Sequence, residues 1–242
     1  MSGHSKWATT KRAKAATDAK RAVLFTKLAK AITIAAKDKG GDPASNFSLR
    51  LAIDKAKAAN MPKDNIERAI KRGTGELQGS VIEEIIYEGF GPGGVALIIK
   101  CLTDNKNRAS QQIKHILAKH GGSLAGPNAV MWQFEQKGVI RIENEKLAGK
   151  NSEELELQII DLGAQDIKKL ADSWVVYSHK EDLQKIKRGF ENLGLEIDYA
   201  EIEYVAKETV SVESEQKEKL QSLFDSLEDE EDVDDYYTNL NE

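Results

Sequence analysis

One cysteine, Cys101, in 242 residues excludes an internal disulfide and any zinc site built on several thiolates. The longest purely apolar run, Val95 to Ile99, stops at Lys100. A membrane helix needs about 20 such residues, so no spanning segment is expected. The opening Met1-Ser2-Gly3-His4-Ser5-Lys6-Trp7 has no apolar run behind its basic residues, unlike a secretory signal. A cytoplasmic setting is therefore expected. Histidine is scarce, and His115 and His120 are five apart, which puts them about 140° apart on a helix and unable to share a metal. His4 and His179 have no ligand partners nearby in sequence. Neither a Walker lysine motif nor an internal repeat is present. Cys101 sits in an apolar strand pattern, where a thiol acts as a small hydrophobe. Glu83-Glu84 and Glu153-Glu154 are chain neighbours that project in different directions, as solvent charges do. Catalytic residues, metal ligands, cofactors and a small-molecule substrate are thus not expected, and neither is an enzyme or a membrane partner.

What the chain does have is divided charge. The formal net of -5 conceals seventeen Lys/Arg against six Asp/Glu in residues 1–72, and two Lys against thirteen acids in residues 208–242. Such asymmetry points to a polyanionic partner for the basic part. The sharpest concentration is residues 4–30, where Lys6, Lys11, Arg12, Lys14, Lys20, Arg21, Lys27 and Lys30 meet one acid, Asp18. Trp7 lies among them, a flat ring for the helical core or for stacking on a base. No set of base-reading side chains on a recognition helix is evident, and backbone recognition of RNA suits the patch as well as DNA does.

Hydrophobic composition of 40% is enough for a core, and the length suits one large domain or two to three small ones. Residues 1–72 read as a bundle of three or four helices. Phe25, Leu28, Ile32 and Ala35 form one stripe, Gly40-Gly41-Asp42-Pro43 ends it, and Leu49, Ile53 and Ala56 form the next. Pro62 is expected in the first turn of a third helix carrying Ile66 and Ile70, with Gly73 as its C-terminal cap. The period then changes. Ile85–Glu88 and Val95–Leu102 read as strands joined through Gly89–Gly94. Gly89, Gly91 and Gly94 match G-x-G-x-x-G, but β-favouring residues follow, so a hairpin rather than a nucleotide loop is expected. Asp104 or Asn105 caps a helix running to His120, with Ile113, Ile116 and Leu117 inward. Asn105, Asn107 and Arg108, beside Gly91, Pro92, Gly93 and Gly94, make a possible second contact surface. Met131–Phe134 and Val139–Ile142 read as separate strands about Lys137-Gly138.

Residues 138–205 then run strand, helix, strand, strand, helix, strand, the split βαβ or ferredoxin-like order. Strands are expected near 138–143, 165–169, 173–178 and 196–204, and helices near 153–162 and 181–193. Leu220, Leu223, Phe224 and Leu227 add an amphipathic helix. Eight of the eleven residues from Asp225 to Asp235 are acidic, which by composition alone suggests a disordered tail.

The chain resembles the YebC/PmpR family. The likeness is carried by Gly3–Trp7, Phe25–Leu28, Gly40–Pro43, the long block Leu51–Ile70, Tyr87–Gly94, Thr103–Asn105 with Asn107-Arg108, Gly121-Gly122, and the ending from Glu228 to Asn239. The family usually has a histidine within the stretch that reads Lys11-Arg12-Ala13-Lys14 here, Gly-Lys where Ala22-Val23 stand, and proline where Ala206 stands. The resemblance implies an α+β multidomain protein: a basic helical domain (1–78), a discontinuous α+β domain (79–135 and 206–242), and a ferredoxin-like domain (136–205) inserted in it. It makes the acidic run a helix-to-strand connection, with Tyr236-Tyr237-Thr238 in a last strand. It also implies a non-enzymatic regulator of gene expression that binds promoter DNA. The alternative is a ribosome-associated translation factor that binds ribosomal RNA and relieves stalling at proline-rich stretches. The residues expected to touch nucleic acid are His4, Ser5, Lys6, Trp7, Lys11, Arg12, Lys14, Lys20, Arg21, Lys27 and Lys30. A nucleotide-using enzyme is the least favoured reading.

Overall fold

The computed structural model describes residues 18–148 and 151–241. Three helices come first: α1 (Asp18–Lys39), α2 (Phe47–Ala58) and α3 (Lys63–Gly73). Leu28, Ile32, Ala35 and Ala36 of α1 pack with Leu49, Ile53 and Ala56 of α2, Met61, and Ile66 and Ala69 of α3. Gly40, at φ +88°, ends α1 and returns its N–H to Ala36 O. Asn46, fully buried, joins the first two helices. Its Oδ1 caps α2 by accepting Leu49 N–H, while its Nδ2 donates to Ala35 O and Gly40 O at 2.7 Å. Both ends of this buried amide thereby have partners.

Two expectations are corrected in α3. Pro62 does not enter the first turn but stands just before it, with ψ 141°. Gly73 is the last helical residue rather than a left-handed cap. A Cβ there would lie 2.4 Å from Thr33 O and 2.6 Å from Ala36 Cβ, so close approach to α1 is what demands glycine.

The first sheet is built from β1 (Glu83–Phe90), β2 (Ala96–Thr103), β3 (Ser123–Leu124) and β8 (Val233–Thr238), in the order β3-β1-β2-β8. β1 and β2 pair antiparallel from Glu83↔Thr103 to Phe90↔Ala96, so Gly89 belongs to the strand and only Gly91–Val95 turn. The glycine segment therefore runs strand to strand through a 3-10 turn at Pro92–Gly94 and leads into no α-helix. β2 is buried along almost its whole length, which accounts for its unbroken apolar sequence. Leu97, Ile99 and Cys101 pack with Ile113 and Leu117 of α4 (Lys106–Lys119) and with Leu220, Leu223, Phe224 and Leu227 of α7 (Ser214–Asp229). α1 contacts β2 and β8. The acidic run is ordered and not a tail: it completes α7, turns at 230–232 and enters β8.

Met131–Phe134 is not a strand. Met131–Gln133 is a single 3-10 turn, and β4 (Phe134–Glu143) continues unbroken through Lys137-Gly138. The N–H groups of Asn128, Val130 and Met131 all go to the Glu88 carboxylate, so these donors are not available to a ladder.

The second sheet is built from β4, β5 (Asp166–Lys169), β6 (Ser173–His179) and β7 (Tyr199–Ala206), in the order β5-β6-β4-β7. β6 pairs antiparallel with both β4 and β5. α5 (Ser152–Asp161) and α6 (Leu183–Asn192) complete the split βαβ order. By compactness the chain divides into residues 1–134 with 206–242, and residues 135–205.

Candidate nucleic-acid interface

His4, Ser5, Lys6, Trp7, Lys11, Arg12 and Lys14 lie outside the described residues. The rest of the expected basic set is on α1, and the structure divides it. Lys20 and Arg21 are exposed near the start of the helix. Lys20 Nζ is 3.3 Å from Asp229 Oδ1, with both side chains more than half exposed, a geometry that contributes little to stability. The Arg21 guanidinium lies 5.3 Å from the centre of the Phe25 ring.

Lys27 and Lys30 are placed differently. Lys27 is buried and donates to Glu228 O, a carbonyl of the last turn of α7. A lysine there satisfies a helix C-terminus that has run out of intrahelical donors. Lys30 Nζ donates to Asp232 Oδ1 at 2.8 Å and to Glu231 O at 3.1 Å. One side of α1 is thus taken up by the acidic segment of the same chain, and Lys27 is not on an accessible surface.

The second expected cluster converges on the same carboxylate. Asn105 caps α4, its Oδ1 accepting Arg108 N–H at 3.0 Å; Asp104, the other candidate cap, accepts from Arg108 Nη2 instead. Arg108 donates from Nε to Asp232 Oδ2 and from Nη2 to Asp232 Oδ1, both at 3.0 Å. The Asp232 side chain is 2% exposed. Two cations from distant parts of the chain therefore neutralise one buried acid, as a buried charge requires. Asn107 is exposed on the first turn of α4.

Gly91 and Pro92 are buried, and a Cβ on Gly91 would lie 2.9 Å from Leu220 Cδ2 of α7. Gly93 and Gly94 are exposed, both at φ +74°. A Cβ on Gly93 would meet Gln216 and Val212 within 3 Å. Half of this hairpin is therefore a packing surface for α7, and its tip is what faces outward.

Exposed cations outside the expected set sit at the other end of the helices. Lys37 and Lys39 close α1, and Arg68, Lys71 and Arg72 lie on α3, all exposed. The close approach at Gly73 brings these two helix ends side by side. The spacing of Arg68, Lys71 and Arg72, three and four residues apart on one helix face, was the available sequence signal. Trp132, 67% exposed, was missed as well.

Elsewhere the chemistry is quiet. Cys101 is fully buried; burial first, then the charges of Asp232, Glu230 and Asp234, push its thiol up to about 12, so it is a protonated hydrophobe. Burial, then Lys119, lowers the His120 imidazole, whose Nε2 is 2.9 Å from Ser226 Oγ. Among the described residues, no three His, Cys, Asp or Glu side chains are grouped to hold a metal. No helix among them is long and apolar enough to cross a membrane.

Comparison with known proteins gives consistent matches along the chain. Residues 5–76 match the family described as the TACO1/YebC protein N-terminal domain, and residues 82–240 match the TACO1/YebC second and third domain. A protein of Pseudothermotoga lettingae is 51% identical over 240 residues, 99% of this chain and 94% of its own. One of Thermotoga maritima is 48% identical with the same coverage. Both are named "Probable transcriptional regulatory protein". The crystal structure of a conserved hypothetical protein from Aquifex aeolicus superposes with a TM-score of 0.84 at 40% identity, covering 94% of this chain and 93% of that one. With both domain families matched in order and relatives near half identity over nearly all of its length, the chain belongs to the TACO1/YebC family of regulatory proteins.

Proposed function

We propose that this protein is a non-enzymatic, cytoplasmic regulator of gene expression that binds nucleic acid through its basic helical part, acting on promoter DNA in keeping with the names of its relatives. The observation that carries the reading is one-sided charge. Residues 1–72 hold seventeen Lys/Arg against six acids, and the acidic segment takes up only part of them. Arg21, Lys37, Lys39, Arg68, Lys71 and Arg72 remain exposed. A surface of this kind binds by releasing counterions from phosphates, which needs neither a cofactor nor a catalytic group. We also read residues 136–205 as a ferredoxin-like domain inserted into the second, a reading supported by the compactness of residues 135–205.

The test is fluorescence anisotropy with duplex DNA carrying a promoter region, random duplex and ribosomal RNA fragments over a range of salt. Replacing Lys11, Arg12 and Lys14 with Gln should weaken binding and reduce the slope of log affinity against log salt by about 0.9 for each duplex phosphate no longer neutralised. Unchanged affinity and slope would overturn the assignment of the site. A promoter that fails to outcompete random duplex would overturn transcriptional action.

The second reading is a translation factor on the ribosome. It is favoured by the exposed Trp132 ring, which suits the unpaired bases common in folded RNA. Sedimentation of a DNase-treated lysate, with and without RNase, separates the two. Travel with ribosomes that survives a salt wash and is abolished by RNase supports translation; protein left at the top of the gradient supports promoter DNA.

A further inference from the structure

Trp132 belongs to neither cationic cluster, yet it is the most exposed large apolar side chain among the described residues. The loop that carries it is held firmly. Glu88, on β1 and 7% exposed, accepts the N–H groups of Asn128 at 2.6 Å and of Val130 and Met131 at 2.8 Å. Asn128 takes a left-handed conformation, φ +64°, within this clamp. Trp132 Nε1 donates to Ala129 O at 3.1 Å. The one polar atom of the indole is therefore satisfied, and what remains outward is ring. A cation is tied to the backbone that carries the ring: Lys207 Nζ donates to the Trp132 carbonyl O at 2.8 Å, and Lys207 N–H donates to Gln133 O at 2.9 Å.

We propose that Trp132 is a stacking platform for an unpaired base of single-stranded RNA, with Lys207 placed to meet the adjoining phosphate. This rests on the second reading above, of action on RNA, and names the state of that ligand. A protein partner would need about 800 Å² of surface on this side with a cluster of apolar anchors at its centre. The loop offers one ring: Gly126, Pro127 and Asn128 beside it are exposed, and Val130 is buried. A lone, fixed aromatic next to a lysine is the usual equipment for a single base, since every base has a face to stack. Bases inside a duplex are already stacked on both faces, so only a splayed base can reach the ring.

The experiment is anisotropy of the full chain with a fluorescein-labelled single-stranded oligoribonucleotide of mixed sequence and with a duplex of the same composition. Trp132→Ala should weaken the single strand about tenfold, leave the duplex unchanged, and leave the salt slope unchanged because the ring neutralises no phosphate. Trp132→Phe should retain most of the affinity. Lys207→Gln should flatten the single-strand slope by about 0.7. Thermal unfolding of Trp132→Ala should match the parent, since the ring is exposed. The proposal is overturned if Trp132→Ala binds the single strand as tightly as the parent while the Lys11/Arg12/Lys14 variant is weakened; nucleic-acid binding would then stand without the stack. It is also overturned if Trp132→Ala leaves ribosomes with its oligonucleotide affinity intact, which would make the ring a protein contact. A parent chain that binds no RNA and no DNA would overturn both readings together.

Discussion

Replacing Glu88 with Gln keeps the shape of the side chain and removes its charge, and the structure says what that should cost. The buried carboxylate accepts three backbone N–H groups, from Asn128, Val130 and Met131. A glutamine can serve at most two of them through Oε1, and its NH2 then faces a third donor. Charge-assisted bonds become neutral, and one part-buried N–H, that of Asn128, loses its partner; a fully buried donor left unsatisfied costs about 1–3 kcal/mol by itself. The expected loss is about 2–3 kcal/mol, moderated because Asn128 is exposed. The pH dependence follows from the same contacts. Burial works against the charge on Glu88, but the N–H groups of Val130, Asn128 and Met131 outweigh it and hold the carboxyl below its usual 4.5. A carboxyl depressed in the folded state stabilises the fold fully above the unfolded value and loses that contribution as pH falls through the folded value. Urea unfolding of parent and Glu88→Gln should therefore differ most at neutral pH and converge below 4.5. A cost under about 0.5 kcal/mol at neutral pH, or a difference that keeps its size in acid, would refute the reasoning.

Asp232→Asn leaves Lys30 and Arg108 facing a neutral group. The expected loss is about 2–4 kcal/mol, below the full value for a broken buried pair because Arg108 is half-exposed. Chemical denaturation measures it, and a double-mutant cycle with Lys30→Met should return at least about 1 kcal/mol of coupling; additive effects would show that the pair is not coupled. Gly73→Ala gains helix propensity of up to about 1 kcal/mol but puts a methyl against Thr33 O and Ala36 Cβ. Since a backbone atom cannot swing aside, a net loss of about 1–3 kcal/mol is expected, and a variant with a raised melting temperature would contradict the close approach of α1 and α3.

The elements that were legible are those whose signal is local. The stripe Leu28, Ile32, Ala35 and the stripe Leu49, Ile53, Ala56 are both buried in the helical core as their spacing required. The β2 run reads as a doubly buried strand and is one. Asn105 caps α4 because a short polar side chain before a helix reaches the third N–H on. The alternating strands and helices of 138–205 appear in order, with ends shifted by a few residues. Failures came where a residue answers to something far along the chain. Met131–Gln133 looks like a strand until Glu88, more than 40 residues earlier, collects its donors. Gly73 looks like a cap until α1 is seen lying against it. The candidate interface was legible only as charge, and its loop-borne Trp132 was not distinguishable from a strand residue.

Alone, the sequence determined where helices and strands can form, that the first 72 residues are strongly basic and that residues 208–242 are acidic. Propensity, period and charge are properties of neighbouring residues, so they survive without a fold. Only the tertiary structure decided which cations stay outside. Asp232 lies 202 residues from Lys30 and 124 from Arg108, and a carboxylate taken out of water must find countercharge wherever the chain brings it. That requirement draws Lys30 inward and ties Arg108 down at the half-exposed edge of the same carboxylate, while the C-terminal carbonyls of α7 draw Lys27. Arg21, Lys37, Lys39, Arg68, Lys71 and Arg72 are left to face solvent.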